Sequence, residues 1–290
     1  MRYMKTILIT GAYGQLGSEM TVISENFPQH TFIFTDADTL DITNEEELQK
    51  FFTANTIDYI VNCAAYTAVD KAEDDKATAY KINCEAVRLL AKMATAHNVK
   101  FIHISTDYVF NGTNYVPYTE DMVICPQSVY GQSKADGERA AMEIAPQQTV
   151  VIRTSWLYSS FGNNFVKTML RLGAEKEELQ VIFDQIGTPT YAADLATAIM
   201  NIVNAENFVA GIYHFSNEGV CSWYDFAKSI HEKAGISTCT VRPIESKDYP
   251  TKTPRPHYSV LNKSKIKKTY DFEIPHWENG LKRCLEYMGT

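Results

Sequence analysis

Residues 6–17 read TILITGAYGQLG, in which a short apolar run leads directly into glycines at positions 11, 14 and 17. A Gly-x-x-Gly-x-x-Gly turn between a strand and a helix is typical of folds that bind a dinucleotide. We expect Gly11 to permit the tight turn, Gly14 to let the backbone approach a pyrophosphate, and Gly17 to let helix pack on strand. The helix that starts near Gln15 then directs its N-terminal amides at the phosphates. The alternative is an ordinary strand-to-helix turn, with glycines for steric reasons only.

Strand-like and helix-like segments alternate along the chain after this turn. The strands are continuously apolar, which is typical of a parallel sheet covered by helices on both faces. We predict an α/β fold, a doubly wound parallel sheet of the Rossmann type, with right-handed crossovers that wind these units into one sheet. The predicted strands are Thr6–Ile9, Thr31–Thr35, Tyr59–Cys63, Lys100–Ser105, Val150–Arg153 and Gln180–Phe183. Thr43 is expected to cap a helix that runs through Phe52, in a capping box with Glu46.

A smaller substrate-binding lobe is predicted towards the C-terminal end. Prolines at 243, 250, 254 and 256 interrupt the regular pattern there, and such connections often carry binding residues. The predicted dinucleotide-binding domain covers residues 1–153 and about 177–217. The predicted lobe covers about 154–176 and 218–290.

Composition disfavours several classes of protein. The chain has 290 residues, 45% of them hydrophobic, and a net charge of −8, which disfavours nucleic acid as a partner. The apolar run at 7–9 is too short for a secretory signal, and no stretch approaches the roughly 20 apolar residues of a membrane span. The six cysteines form no Cys-x-x-Cys pair. This favours reduced thiols in a cytoplasmic protein over a zinc site or a disulfide framework.

Acidic and small residues after the next strands extend the predicted cofactor site. Asp36 follows the glycines by about 20 residues, where a carboxylate accepts hydrogen bonds from an adenosine ribose and repels a 2′-phosphate. This residue alone favours NADH over NADPH. Asp41 and Ile42 are candidates for contacts to the adenine edge, with a helix-leading turn as the alternative. The small residues of 62–65 suit a backbone that passes close to the cofactor.

Three side chains supply the predicted chemistry. Tyr130 and Lys134 are four residues apart, so on a helix they share one face. Because an ammonium group within about 4–6 Å lowers the pKa of a phenol, we expect Tyr130 to donate a proton near neutral pH, and Lys134 to hold the nicotinamide ribose as well. Thr106 ends a buried strand, where its hydroxyl can bond a carbonyl oxygen. Accidental patterning on a helix surface, and a threonine that satisfies local backbone, are the alternatives.

Four further residues have two interpretations each. Asn83 either joins a proton relay through water or kinks its helix. Trp156 and Tyr158 either line the binding site of a sugar ring or belong to the core. His103 lies in an apolar strand and is interpreted as a satisfied core histidine rather than a ligand.

These motifs together resemble the extended short-chain dehydrogenase/reductases that act on nucleotide sugars. The resemblance covers essentially the whole chain. The stretches that carry it are Gly11–Gly17, Asn62–Glu73, Ser105–Phe110, Val129–Gly131, Arg153–Trp156, Gly162–Phe165, Asp184–Thr190 and Arg255–Pro256. It implies reduction of the 4-keto group of dTDP-4-dehydro-β-L-rhamnose to dTDP-β-L-rhamnose, with NADPH or NADH as cofactor.

The same resemblance implies the residues of the site. Tyr130 corresponds to the catalytic tyrosine of the family, Lys134 to its lysine and Thr106 to the hydroxyl that tunes it. The implied cofactor contacts are Gly14, Gln15, Leu16, Asp36, Asp41, Ile42, Ala64, Ala65 and Tyr66. The implied substrate contacts are Thr106, Asp107, Trp156, Asn164 and Arg255.

Some members of this family form dimers around a divalent metal held by carboxylates of both subunits. Glu19 matches one such ligand, whereas the stretch Tyr191-Ala192-Ala193 places alanine where another acid would stand. The sequence therefore argues against a metal-bridged dimer and assigns no metal ligand, with Mg²⁺ kept open as an alternative. A monomer and a homodimer both stay open.

Two kinds of relative differ in activity. Dehydratases of the family carry Thr-Asp-Glu where this chain has Thr106-Asp107-Tyr108, which disfavours water elimination. The regulatory subunit of methionine adenosyltransferase resembles the family and keeps the fold as a non-catalytic nucleotide-binding module. The complete set of Thr106, Tyr130 and Lys134 argues against that role.

Overall fold

A parallel sheet of six strands forms the centre of the computed structural model, which describes residues 4–290. The strands of the chain are β1 (Thr6–Thr10), β2 (Thr31–Thr35), β3 (Tyr59–Asn62), β4 (Lys100–Thr106), β5 (Thr149–Thr154), β6 (Leu157–Tyr158), β7 (Glu178–Ile182), β8 (Ile186–Gly187), β9 (Thr190–Tyr191), β10 (Gly211–His214), β11 (Cys221–Ser222) and β12 (Thr240–Ile244). The central sheet has the order β2-β1-β3-β4-β5-β10. Winding reverses between β1 and β3, and in open α/β sheets ligands bind at the carboxyl end of that crevice. The predicted doubly wound α/β fold is confirmed.

Helices cover both faces of this sheet. They are α1 (Gln15–Ser24), α2 (Glu45–Ala54), α3 (Val69–Ala72), α4 (Lys76–Tyr80), α5 (Ala86–His97), α6 (Val129–Ile144), α7 (Phe165–Glu175), α8 (Ala192–Asn204), α9 (Trp223–Lys233), α10 (Ser264–Tyr270) and α11 (Trp277–Met288). Ile7 and Ile9 of β1 pack in one core with α1 and α8. Leu8, which faces the opposite way, packs in a second core with α2 and α5. Strand residues buried on both faces explain why the strands are apolar throughout.

A third core lies in the C-terminal part of the chain. It joins α7, α9 and α11 to β7 and β12, which pair with each other in a separate parallel sheet. The expectation that the strand at Gln180–Phe183 enters the central sheet is therefore wrong. Alternating burial along β7 (Glu178 and Gln180 exposed, Leu179 and Val181 buried) shows a strand covered on one face only. Strand β7, which the prediction assigned to the dinucleotide-binding domain, packs in this third core together with α9, α11 and β12.

Two local features differ from the sequence-based expectation. The sixth central strand, β10, pairs with β5 and was not among the predicted strands. Asn44, rather than Thr43, caps α2, since its side chain accepts from the amides of Glu46 and Glu47. The Thr43 hydroxyl donates instead to Asp41 at 2.6 Å, because an aspartate two residues back competes for it.

Across residues 4–290, no helix has both the length and the apolar content that a membrane crossing requires. The six cysteines are unpaired.

Candidate active site

The glycine turn connects β1 to α1 at the switch point of the sheet. Gly11 has a φ of +67°, and a Cβ on it would lie 2.6 Å from the backbone nitrogen of Ala64. A Cβ on Gly17 would lie 2.2 Å from the Gly11 carbonyl oxygen, whereas one on Gly14 meets only that oxygen, at 3.3 Å. Gly11 and Gly17 are thus required by packing, and Gly14 presents open backbone.

The N-terminus of α1 carries the amides that suit a phosphate. Its first helical bond runs from the Ser18 amide to the Gly14 carbonyl, so the amides of Gln15, Leu16 and Gly17 point outward from the helix end. Leu16 is buried and anchors the helix.

Asp36 lies beside this turn. Its carboxylate accepts from the Tyr13 amide at 3.0 Å and from the Ala37 amide at 2.8 Å, which fixes it at the end of β2. Asp41 accepts from the Thr43 hydroxyl, and this bond holds the pKa of Asp41 below its usual value. Ile42 is buried against α2 and β1. The structure thus brings Asp36 to the predicted position, while Asp41 is engaged in its own turn.

The segment after β3 faces the glycine turn. Ala64 contacts Gly11, and Ala65 and Tyr66 follow it, each half-buried. Asn83 holds this segment: its side chain accepts from the Tyr66 amide at 2.9 Å and donates to the Tyr66 carbonyl at 3.0 Å. Asn83 lies in a π-helical turn, Lys81–Glu85, which supports the structural interpretation of this residue.

Thr106 and Tyr130 meet at the carboxyl end of β4. The 3₁₀ turn Asp107–Val109 begins there and packs on α6. Gly131 permits this approach, since a Cβ on it would lie 2.3 Å from the Tyr108 carbonyl oxygen. Tyr130 is 9% exposed and Thr106 is 5% exposed. The Tyr-Gly pair therefore brings the phenol and the hydroxyl together through close backbone packing.

The pKa of Tyr130 differs from the expectation. Burial raises it to about 12, a rise that the neighbouring Thr106 hydroxyl opposes and that negative charge on Asp107 reinforces. The expected lowering by Lys134 is wrong for this structure. The Lys134 ammonium donates at 2.6 Å to the Ile104 carbonyl, so the cost of burying a phenolate decides the pKa of the tyrosine.

Lys134 is 2% exposed. Burial lowers its pKa to about 8, and the nearby carboxylate of Glu138 opposes that shift. Glu138 follows one helical turn after Lys134 and is held by Arg153 of β5 through bonds of 2.7–3.1 Å. Glu138 was not predicted; the spacing 130, 134, 138 on one helix face is the signal that points to it.

Asp107 is buried next to this group. One carboxyl oxygen accepts from the Thr106 hydroxyl at 3.0 Å, and the other has no hydrogen-bond partner in the described residues. Burial raises the pKa of Asp107 to about 7. An unpaired carboxyl oxygen at the sheet edge suits a hydroxyl of a bound sugar.

Trp156 lies two residues beyond β5, whose Thr154 pairs with Thr106. It adopts a φ of +48°, a strained conformation for a bulky residue. Its indole stacks on Trp223 with ring centroids 3.6 Å apart, and it packs against Gly187. Backbone strain of this kind concentrates at functional sites. Tyr158, in contrast, is 1% exposed and belongs to the core.

Asn164 caps α7 and is occupied by the protein. It accepts from the Lys167 amide at 3.1 Å, and donates to the Gln15 side chain at 3.1 Å and to the Ser159 carbonyl at 2.7 Å. These bonds tie the start of α1 to the C-terminal part of the chain. They give Asn164 a structural role and no support for its predicted substrate contact.

Arg255 lines a cleft that also includes Tyr108, Gln127 and Ser128. It donates at 2.5 Å to Asp70 on α3, while its other terminal nitrogen is buried without a hydrogen-bond partner in the described residues. Asp70 also accepts from the Thr253 amide at 3.0 Å. The proline-containing loop 250–256 is therefore attached to α3, and Asp70 holds the Arg255 guanidinium beside the cleft.

Glu19, the match to a family metal ligand, accepts from the Ser159 hydroxyl at 2.6 Å. Burial raises the pKa of its carboxyl. Within residues 4–290, no group of three or more His, Cys, Asp and Glu side chains is arranged to hold a metal ion.

Comparisons with known proteins agree with this geometry. The family model described as the RmlD substrate binding domain matches residues 4–289. The dTDP-4-dehydrorhamnose reductase of Aggregatibacter actinomycetemcomitans is 39% identical over 293 aligned positions, which cover 98% of this chain and 99% of that protein.

Two solved structures are closely similar. A dTDP-4-dehydrorhamnose reductase from Clostridium acetobutylicum has a TM-score of 0.93 and 40% identity, covering 98% of this chain and 100% of that one. The enzyme of the same name from Bacillus anthracis, in complex with NADP, has a TM-score of 0.93 and 38% identity, covering 98% and 99%. The chain therefore belongs to the dTDP-4-dehydrorhamnose reductase family of extended short-chain dehydrogenase/reductases.

Proposed function

We propose that the chain reduces the 4-keto group of dTDP-4-dehydro-β-L-rhamnose, forming the hydroxyl group of dTDP-β-L-rhamnose. The observation that carries this proposal is the convergence of three side chains. Thr106 and Tyr130 lie beside each other at the end of β4, and the Lys134 ammonium, one turn along α6, donates to the Ile104 carbonyl of the same strand. They lie at the carboxyl edge of the sheet, where the glycine turn also opens.

The residues around the glycine turn fit a nicotinamide dinucleotide. Open backbone at Gly14 and the free helix N-terminus suit the pyrophosphate, and the oriented Asp36 carboxylate suits a ribose. When bound in reduced form, this cofactor supplies the hydride to the keto carbon. Asp36 favours NADH, and the Bacillus anthracis relative is in complex with NADP, so the proposal includes both cofactors.

Tyr130 is the proposed proton donor. Because its pKa is raised to about 12, the phenol retains its proton at neutral pH and can give it to the sugar oxygen. The Thr106 hydroxyl lies beside this phenol, where it can stabilise the charge that develops on it. The Lys134 ammonium adds positive charge in a region from which water is excluded, where such charge has its largest effect.

Two surfaces are proposed to hold the substrate. Asp107 adjoins Thr106 and suits a hydroxyl of the sugar with its unpaired carboxyl oxygen, and Trp156, two residues after β5, is proposed to pack against the sugar ring. Arg255 suits the diphosphate, because a guanidinium binds phosphate oxygens through paired N–H groups. Unpaired thiols further support a location in the cytoplasm, where we propose a monomer or a homodimer.

The test supplies dTDP-4-dehydro-L-rhamnose with NADPH or NADH and follows nicotinamide absorbance. The proposal expects oxidation of the cofactor that depends on the sugar, and formation of dTDP-L-rhamnose. Dehydratase activity would appear as sugar turnover without net cofactor oxidation. A chain that binds NADPH and a partner enzyme but oxidises no cofactor would instead be a regulatory subunit, and the proposal would be wrong.

A further inference from the structure

A row of buried polar side chains crosses three neighbouring strands at the level of the glycine turn. Thr10 ends β1 directly before Gly11, Asn62 ends β3, and His103 lies in β4. The strand register pairs Thr10 with Asn62 and Asn62 with His103. The Thr10 hydroxyl donates to Asn62 at 2.7 Å, and the Asn62 amide lies 3.0 Å from Nδ1 of His103. All three side chains are at most 1% exposed.

Lys134 stands at the far end of this row. Its ammonium nitrogen is 3.5 Å from Nε2 of His103 and 2.6 Å from the Ile104 carbonyl oxygen. A buried ammonium has three N–H donors and is stable only where acceptors receive them. Two groups of β4 can therefore take two of these donors and leave the third to point at a ligand.

The charge of Lys134 sets the direction of the hydrogen bonds along the row. An ammonium has no lone pair, so His103 must present a lone pair at Nε2 and carry its proton on Nδ1. The oxygen of Asn62 then faces Nδ1, which a half-turn of the amide provides without a change of shape. The Thr10 hydroxyl can donate or accept, and so it serves either direction.

We propose that His103 is a positioning residue for the reduction: linked to the end of β1 through Asn62 and Thr10, it holds the Lys134 ammonium at the carboxyl edge of the sheet. This inference rests on the proposed catalytic role of Lys134. Burying an imidazole without hydrogen-bond partners is costly, so an apolar strand would not be expected to contain a histidine. The positioning role explains why His103 is present in β4. It also couples the phosphate turn to the catalytic lysine through one rigid layer of the fold.

Other titratable groups face Lys134 as well. Glu138 lies one turn further on α6 and is paired with Arg153 of β5. Asp107 and Tyr130 lie near the carboxyl end of β4. None of these groups is changed in the His103 and Thr10 variants described next, so differences among those variants report on the row itself.

The first experiment reads the tautomer of His103 without measuring activity. Nitrogen-15 NMR of the histidine-labelled protein distinguishes Nδ1–H from Nε2–H imidazole, and the signals missing in His103→Gln assign the residue. At pH 6.5 the proposal expects neutral His103 in the Nδ1–H form. An Nε2–H form at this pH, or a protonated ring, would contradict it even if the enzyme is active.

The second experiment compares two variants with matched geometry. In His103→Gln the side-chain amide reaches the place of Nε2 and preserves an acceptor for Lys134. In His103→Asn the amide reaches only the place of Nδ1 and preserves the link to Asn62. At saturating NADPH and sugar we expect kcat of His103→Gln within about threefold of wild type, and that of His103→Asn lower by on the order of 10–100-fold.

The pH profile separates positioning from a merely structural role. Without an acceptor at Nε2, Lys134 loses its proton at lower pH, so the alkaline limb of kcat should move to lower pH in His103→Asn and stay in place in His103→Gln. Equal kcat values and equal limbs in the two variants would overturn the proposal. If His103→Asn does not fold, Thr10→Val, which removes the hydroxyl that bonds Asn62, takes its place as the test. A Thr10→Val protein whose kcat and alkaline limb equal those of wild type would overturn the proposal.

The failure of this inference can be told apart from failure of the proposed function. If the wild-type protein oxidises no cofactor with the sugar, the function is wrong, whatever the tautomer of His103. If the wild-type protein is active and the His103 variants behave alike, the function stands and the positioning role is lost.

Discussion

The buried ion pair between Arg153 and Glu138 allows a prediction of stability. Both side chains are 3% exposed. Nε of Arg153 donates to the two carboxylate oxygens at 3.0 and 3.1 Å, and Nη2 donates at 2.7 Å. Such a pair stabilises little relative to apolar residues, but removing one partner leaves a buried charge uncompensated, at a cost of about 3–5 kcal/mol.

The perturbation is Arg153→Met, which keeps the length of the side chain and removes its charge. For a domain of this size each kcal/mol lowers the melting temperature by roughly 2–4 °C, so the cost above corresponds to a fall of about 6–20 °C. Loss of the contact between the guanidinium and the Phe110 ring, 5.1 Å from its centroid, acts in the same direction. Differential scanning calorimetry at neutral pH measures the change.

The control is the double variant Arg153→Met with Glu138→Leu, in which no buried charge is left. We expect it to recover most of the lost melting temperature, because apolar replacement of a whole buried pair is close to neutral. An Arg153→Met protein as stable as wild type would refute the reasoning, as would a double variant less stable than the single one. Either result would mean that Glu138 is neutral or solvated in the folded protein.

Three further predictions concern the cofactor site and the lysine. Position 11 has a positive φ, and a Cβ there would clash with the facing backbone, so Gly11→Ala should lower both the melting temperature and the affinity for NADPH. Gly14→Ala should lower the affinity with little change in melting temperature. Calorimetry measures the melting temperature and fluorescence titration the affinity. Asp36→Ala should lower the ratio of kcat/KM for NADH to kcat/KM for NADPH, because the carboxylate that binds the ribose and repels a 2′-phosphate is lost. Glu138→Gln should move the alkaline limb of kcat to lower pH, because Glu138 supports the charged form of Lys134, whose pKa is already lowered.

The opposite outcomes are specific to each case. Equal melting temperatures for the two glycine variants would contradict the packing argument for Gly11. An unchanged ratio of kcat/KM would count against a ribose contact at Asp36. An alkaline limb that stays in place in Glu138→Gln would mean that Lys134 does not set it.

The central sheet could be predicted because its strands are apolar and lead into recognisable turns. Five of the six strands, β1 to β5, were located to within one or two residues. Strand β10 has only four residues and ends in a polar histidine, so its sequence lacks a recognisable apolar run. It is a strand of the central sheet because it pairs with β5. The partner of β7 could not be predicted either, since strand pairing depends on tertiary contacts that local pattern does not contain.

Within the candidate site, residue types and spacing predicted which side chains converge but not their electrostatics. The pattern of Tyr130 and Lys134 placed both on one helix face, as α6 has them. Their pKa values depend on burial, which a pattern of two residues does not report. His103 shows the same limit, because a histidine within an apolar strand gives no sign of the Asn62 and Lys134 side chains that face it.

The role of Tyr130 in reducing the 4-keto group can be tested by following a label from the cofactor. NADPH with deuterium at its transferable position is supplied with dTDP-4-dehydro-L-rhamnose to wild type and to Tyr130→Phe, and NMR locates the label in the product. We expect deuterium at C4 of dTDP-L-rhamnose with wild type. With Tyr130→Phe we expect the turnover number to fall by at least about 100-fold while NADPH affinity is unchanged. Product without deuterium at C4, or a Tyr130→Phe variant that turns over within a few-fold of wild type, would contradict it.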